Sequence, residues 1–265
     1  MIARRFLACI TIVCTFFLVQ AHEFWLQPDK YRYQPGETAV IDFRIGENFT
    51  GEFWDLDRHQ VVSLKWYSRN AEKDLKAQVK KQKGKNVALP ALTPGTHLVA
   101  LQSNAAFIEL SGRQFNDYLL EDGIDHVLSQ RKKNNDTTRA RELYTRYAKL
   151  LLQTGPSPDN TFQRRVNFPI EIVPLQNPYN LTSGDYLDCR VMLNQQVLPH
   201  QKVKVWSFIG NRIFLQNLFT EKDGTVRFPL SSKGPWMVST VVMEKSKRPE
   251  ADYESKWASL VFGIE

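Results

Sequence analysis

Cleavage of this chain after Ala21 would leave a histidine as the first residue, and that residue carries the most specific chemistry in the sequence. The free α-amine and the nearer imidazole nitrogen of His22 can close a chelate ring on one metal ion, and imidazole suits nickel, copper and zinc alike. The other histidines are His59, His97, His126 and His200, and none has a partner at metal-ligand spacing. A site with more than one side chain must therefore be assembled in space. His97 falls in a predicted strand after Thr93-Pro94-Gly95, and His126 falls in a predicted helix. Both read as half-buried imidazoles, and His200 follows Pro199 in a hairpin turn.

Other chemistry is sparse. There is no Gly-x-Ser-x-Gly, no His-Glu-x-x-His, no phosphate-binding glycine loop and no Cys-x-x-Cys. Asp55 with Asp57, and Glu121 with Asp122, are the candidate carboxylate pairs for acid and base work, but neighbouring acids in loops and helices are expected to face solvent. The expectation is a protein that is not an enzyme. Cys9 and Cys14 precede Ala21, which leaves Cys189 alone in the processed chain and excludes an intramolecular disulfide there. The formal charge of +7 falls to +5 once Arg4 and Arg5 are removed. The basic runs at residues 73–85 and 131–146 are interleaved with acids and amides and read as solvated faces, so no nucleic-acid partner is expected.

The elements that must position His22 begin with its leader. Arg4 and Arg5, an apolar stretch over residues 6–19, and Val19-Gln20-Ala21 form the three parts of a secretory signal. That stretch is shorter than the roughly 20 residues needed to span a bilayer. Export to the periplasm or the extracellular space is expected, with no stable membrane insertion after cleavage. Residues 37–45 alternate apolar and polar, and residues 61–67, 86–89 and 97–102 are further strand candidates between turn signals. After Gly112 the spacing turns helical. A second helix is expected over residues 138–153, from Leu143, Tyr147, Leu150 and Leu151 at i, i+4, i+7 and i+8, with Gly155-Pro156 as its stop. Beyond the linker-like Pro156-Ser157-Pro158-Asp159-Asn160 come seven strand-like runs in about 100 residues, a count that suits an immunoglobulin-like or transthyretin-like sandwich. The expected fold is mainly β: a signal peptide at 1–21, an N-terminal β-sandwich at 22–111, a helical segment at 112–155 and a C-terminal β-sandwich at 162–265.

Several segments, taken in order, resemble the exported bacterial family DUF4198, once grouped with components of nickel and cobalt uptake. They include Ala21-His22-Glu23-Phe24-Trp25-Leu26, Thr93-Pro94-Gly95-Thr96-His97, Ile172-Val173-Pro174-Leu175-Gln176-Asn177-Pro178, Gly234-Pro235-Trp236 and Trp257-Ala258-Ser259-Leu260. The resemblance covers nearly the whole processed chain. It implies two β-sandwiches and a role outside the inner membrane in handling a divalent transition metal, nickel or cobalt with copper as the alternative, for a metal uptake system at the membrane. His22 is the expected chelating ligand, and His97 the expected second ligand because the resemblance covers its turn. Val242 stands where relatives often place a histidine, and Met243 beside it offers a soft thioether that would favour copper. The competing expectation is a structural or adhesive module that meets a protein or glycan through exposed aromatics such as Trp54, Trp66 and Tyr67.

Overall fold

Short apolar alternations between turn residues become strands throughout the chain, and the longest of them are covered on both faces. The protein is described by a computed structural model covering residues 23–265 apart from Asn48 and Asn211. Strands β1 (Glu23–Pro28), β2 (Arg32–Tyr33), β3 (Val40–Glu47), β4 (Thr50–Phe53), β5 (Val61–Tyr67), β6 (Glu72–Asp74), β7 (Val87–Ala88), β8 (Gly95–Ser103) and β9 (Ala106–Leu110) precede two helices, α1 (Gly112–Asp122) and α2 (Asp125–Lys133). Then follow β10 (Ala140–Thr154), β11 (Ile170–Pro174), β12 (Tyr186–Leu193), β13 (Gln196–Val197), β14 (Lys202–Ile209), β15 (Arg212–Phe219), β16 (Thr225–Pro229), β17 (Gly234–Lys245) and β18 (Tyr253–Ile264).

These strands make three sheets. A ten-stranded sheet runs β15-β14-β17-β18-β10-β8-β5-β6, with β2 and β9 also paired to β10. Its strands are mostly antiparallel, but β10 and β18 run parallel from Glu142↔Tyr253 to Leu150↔Val261. One four-stranded sheet, β1-β3-β4 with β7, covers one face, and its Phe24, Leu26, Ile41 and Phe43 pack with Val99, Leu150 and Val261 of the large sheet. The other, β11-β12-β13 with β16, covers the opposite face, where Ile172, Cys189 and Phe228 pack with Leu151, Val238 and Leu260. The fold is thus mainly β, with two sandwich cores and a helical insert, and the two cores share the large sheet as their common wall. The α1–α2 pair packs against Val241, Met243, Tyr253 and Trp257, on the same face of the large sheet as β1.

The sequence expectation fails at residues 138–153, which form the strand β10 rather than a helix. The physical reason is double burial. A strand with both faces covered reads as a continuous apolar run, and over Tyr147 to Leu152 that run also satisfies helical spacing. Alternate residues in fact part company: Ala148, Leu150 and Leu152 enter the first core, while Tyr147 and Leu151 enter the second. A second correction concerns the aromatics expected on the surface. Trp54, Trp66 and Tyr67 are all buried, because large rings in a sandwich are claimed by the core.

Candidate functional site at the head of the first strand

The described chain enters the fold at Glu23, and it enters pinned. β1 pairs with β3 in unbroken register from Glu23↔Gly46 to Pro28↔Ile41, Phe24 and Leu26 are buried, and Ser259 Oγ donates to the Phe24 carbonyl at 2.7 Å. The Glu23 carboxylate is itself buried and lies 3.6 Å from Lys204 Nζ on β14. Lys204 is held more closely by Asp122, at 2.6 Å.

Asp122 is the last residue of α1, and the sequence fixes where that helix starts and stops. Ser111 and Gln114 form a capping box at its start, and Gly123 ends it in the left-handed conformation at φ +69°. An acid here sits at the negative end of the helix and away from water, both of which disfavour its charge. Burial pushes the Asp122 carboxyl up to about 7 against the pull of Lys204. Burial also opposes the charge on Lys204, but Glu23 and Asp122 together outweigh it and hold the lysine above its usual range.

The floor of this region is the first half of β10. Glu142 Oε1 accepts hydrogen bonds from Tyr118 at 3.1 Å and from Ser255, whose Oγ in turn accepts from Trp257 Nε1 at 3.0 Å. Burial pushes Glu142 up to about 7 despite those two donors. Four residues on, Arg146 is buried with its guanidinium 4.6 Å from the Tyr144 ring and 6.0 Å from the Phe24 ring. Its Nε and Nη1 are buried without a hydrogen-bond partner, and burial lowers its pKa. His59 closes the circle. Its ring stacks on Trp54 at 5.2 Å and meets Tyr144 at 6.4 Å, while Trp54 packs on Phe24 at 4.8 Å. Burial first, and the Arg146 charge second, lower the His59 pKa and favour neutral imidazole.

The predicted site residues fall in different places. His22 lies outside the described residues. His97 is fully buried on β8, with Nε2 2.9 Å from the Thr93 carbonyl oxygen and its ring stacked on Trp66 at 5.7 Å. Register sets it opposite Leu152, near the far end of β10 from Glu142, so the structure does not bring His97 to the head of β1. Val242 packs against the second core, on the other face of the large sheet from Glu142, and Met243 is buried against the helical pair. His126 is exposed on α2 with Nε2 2.8 Å from the Met243 carbonyl oxygen, and His200 is exposed in a turn at φ +57°. Asp55 and Asp57 face solvent as expected, but of the second acid pair only Glu121 does; Asp122 is buried because it lies on the face of α1 turned toward Lys204.

Sequence reasoning missed Glu23, Glu142, Arg146 and Lys204 as members of one cluster. The helix reading of β10 hid two of them, since a charged i, i+4 pair on a helix reads as a solvated face, whereas in the strand Glu142 and Arg146 are paired into the sheet and buried. Among the described residues no three or more of His, Cys, Asp and Glu are grouped to hold a metal ion. Glu23 and Asp122 offer two carboxylates with a lysine between them, so a metal here needs further donors.

A family model described as "Domain of unknown function (DUF4198)" matches residues 19–244. No curated protein matches the chain. Among solved structures the chain is similar to the D0-D1 domain of Intimin, at 12% identity over 91% of this chain and 98% of that one, with a TM-score of 0.21. It is also similar to three N-terminal domains of the bacteriophage RB49 Highly Immunogenic Outer Capsid protein, at 5% identity over 92% and 71% of the two chains, with a TM-score of 0.22. A tetra-tandem repeat in the extending region of a large adhesion protein matches at 10% identity over 91% and 49%, with a TM-score of 0.20. Likenesses at these scores carry no argument about function. Among the described residues no helix is long and apolar enough to cross a membrane.

Proposed function

This chain belongs to the DUF4198 family, and on that premise we propose that it is an exported, non-enzymatic protein that binds a divalent transition metal at its processed N-terminus and passes it to an uptake system at the membrane. Nickel or cobalt is the expected cargo, with copper as the alternative. The observation that carries this reading is the anchoring of Glu23. The residue directly after His22 is buried, paired into β1 and set 3.6 Å from Lys204 beside Asp122. An amine generated by cleavage after Ala21 is then one residue from a rigid strand, and pre-organised donors bind without the entropy cost of ordering a loose terminus.

The test is calorimetric titration of nickel, cobalt and copper into protein beginning at His22, beside a form with one glycine added before it. Tight binding that the added glycine removes supports the N-terminal chelate. Equal or negligible binding in both forms rejects it.

A second reading, a structural or adhesive module for a protein partner, draws on β15. Among the described residues this edge strand of the large sheet pairs only with β14, and it exposes Phe214, Leu215 and Phe219. Unpaired apolar edges template pairing with another chain. Such a module keeps its stability and its partner after chelator treatment, whereas a metal carrier loses stability, because a ligand bound only by the folded state raises its apparent stability.

A further inference from the structure

A cleft of about 910 Å³ opens at the far end of β10 from Glu142. Ser68 and Arg69 of the β5–β6 turn, residues 158–164 after β10, and Asn177 and Asn180 after β11 line it. Small-molecule sites fill roughly 300–1,000 Å³ and are mostly apolar, whereas this lining is mostly guanidinium, amide and hydroxyl. We propose that the cleft binds an acidic saccharide, with Arg69 meeting its carboxylate and Asn160, Gln163 and Asn180 meeting its hydroxyls. The site lies apart from the processed N-terminus and does not depend on the metal reading.

The walls are fastened without using those four side chains as struts, Arg69 excepted at one nitrogen. Asp159 accepts from the Thr96 amide through one carboxylate oxygen and from the Thr161 amide through the other, each at 2.7 Å. Gly95, at φ +130°, permits that approach, since a Cβ there would lie 2.3 Å from the Asp159 carboxylate. Thr96 Oγ1 donates to Gln153 at 3.0 Å and accepts from Asn177 Nδ2 at 3.1 Å, and the Asn177 carbonyl oxygen accepts from the Tyr179 amide at 3.0 Å. Buried polar groups thus set the loop after β10 in place, and a site on so fixed a frame binds without first having to be ordered.

What the frame leaves over decides the ligand. Arg69 is exposed, donates through Nη2 to the Pro158 carbonyl and joins no ion pair among the described residues, so its charge and its other donors are open. Arg164, by contrast, is held by Glu72 at 2.9 Å and lies 4.4 Å over the Tyr67 ring. The Asn160, Gln163 and Asn180 side chains are exposed and have no hydrogen-bond partner among the described residues. With both Asp159 oxygens engaged by amides, the acid in the wall is not free to hold a cation. A guanidinium matches a carboxylate with two parallel hydrogen bonds. Each amide offers donors and an acceptor together, which a sugar hydroxyl can meet and a bare anion such as phosphate cannot.

The experiment is calorimetric titration of the full processed chain with trisaccharides of galacturonate and of mannuronate, with their methyl esters, and with inorganic phosphate. One acid trisaccharide or both should bind at least about 10-fold more tightly than the matching ester. Arg69→Met should erase that preference by weakening the acid form about 10- to 100-fold, the range for a charge-assisted contact. Asn160→Ala combined with Asn180→Ala should weaken acid and ester alike. These side chains are exposed, so the melting temperature should stay put in each variant. Arg113→Met, at an exposed arginine on α1, should leave binding unchanged and so exclude general attraction to a basic protein. The proposal is overturned if neither acid trisaccharide binds at millimolar concentration, if acid and ester bind equally, if phosphate binds as tightly as the acid trisaccharides, or if Arg113→Met weakens binding as much as Arg69→Met.

Discussion

Lys149 and Arg146 lie three residues apart on β10, both buried, on opposite faces of the same sheet, and they differ in how their charges are met. Lys149 Nζ donates to Glu171 Oε1 at 3.1 Å, to the Ile172 carbonyl at 3.1 Å and to the Arg164 carbonyl at 3.4 Å, so all three of its protons have acceptors. Glu171 also accepts from the Val166 amide at 2.7 Å. Arg146, in contrast, leaves Nε and Nη1 without partners, and the carboxylates on its side, Glu142 and Asp122, hold protons up to about pH 7. A closed, satisfied pair fastens one sheet to another. An open cluster whose acids change charge near neutrality is a poor fastener.

The sharpest way to break this comparison is to remove Lys149. Lys149→Ala leaves Glu171 buried without its counter-charge and should cost about 3–5 kcal/mol of folding stability in urea titrations, whereas Lys149→Met with Glu171→Leu should cost far less, because no unpaired charge remains. A loss under about 1 kcal/mol for the single change would mean that the pair is not a fastener. On the open side the effect has the opposite sign and depends on pH. Glu142 has a folded-state pKa of about 7, above its usual 4.5. Its contribution to stability is therefore fully present below about pH 4.5 and is lost as pH rises through 7. Glu142→Gln escapes that loss. Its stability relative to wild type should rise from near zero at pH 4.5 to about 3 kcal/mol in its favour above pH 7.5. A flat difference across that window would show that the carboxyl is not held protonated.

The contrast also explains what could be read from the sequence. The β class, the strand at residues 61–67 and the helical spacing after Gly112 follow from local pattern, and the structure has them. β10 does not, because its central residues are buried from two sides and double burial erases the alternation that marks a strand. The site suffered in consequence. Glu142 and Arg146 looked like members of a charged helical surface, and Asp122 like a solvated helix acid, since only the arrival of β14 from about 80 residues away supplies Lys204. What remained legible was the family that the strand motifs resemble.

Lys204 gives a smaller and more conditional effect than Glu142. Lys204→Met strips Glu23 and Asp122 of their shared counter-charge, which should destabilise the metal-free protein by about 1–3 kcal/mol at pH 8. Without the lysine the raised pKa of Asp122 climbs further, so the penalty applies where the carboxyl is forced to ionise and should fade by pH 5, where it is protonated. A penalty equal at both pH values would mean that Lys204 acts through packing of its stem alone. Divalent metal added to the variant should recover more stability than it adds to the wild type, read as the larger shift in melting temperature.

The smallest expected change is the most telling, because it comes from a residue as buried as Lys149. Arg146→Met exchanges a guanidinium with two unpartnered nitrogens for a side chain of similar length that needs no partner. Burial already taxes the arginine charge, so removing it relieves a cost as well as losing the contacts to Tyr144 and Phe24. Stability should move by less than about 1 kcal/mol, in either direction, against the several kcal/mol lost at Lys149. A structural arginine would instead behave like Lys149 and cost about 3–5 kcal/mol when truncated. A change that small would show that the fold tolerates an unsatisfied cation at the head of β1 without drawing stability from it, held there by its contacts to Tyr144 and Phe24 alone.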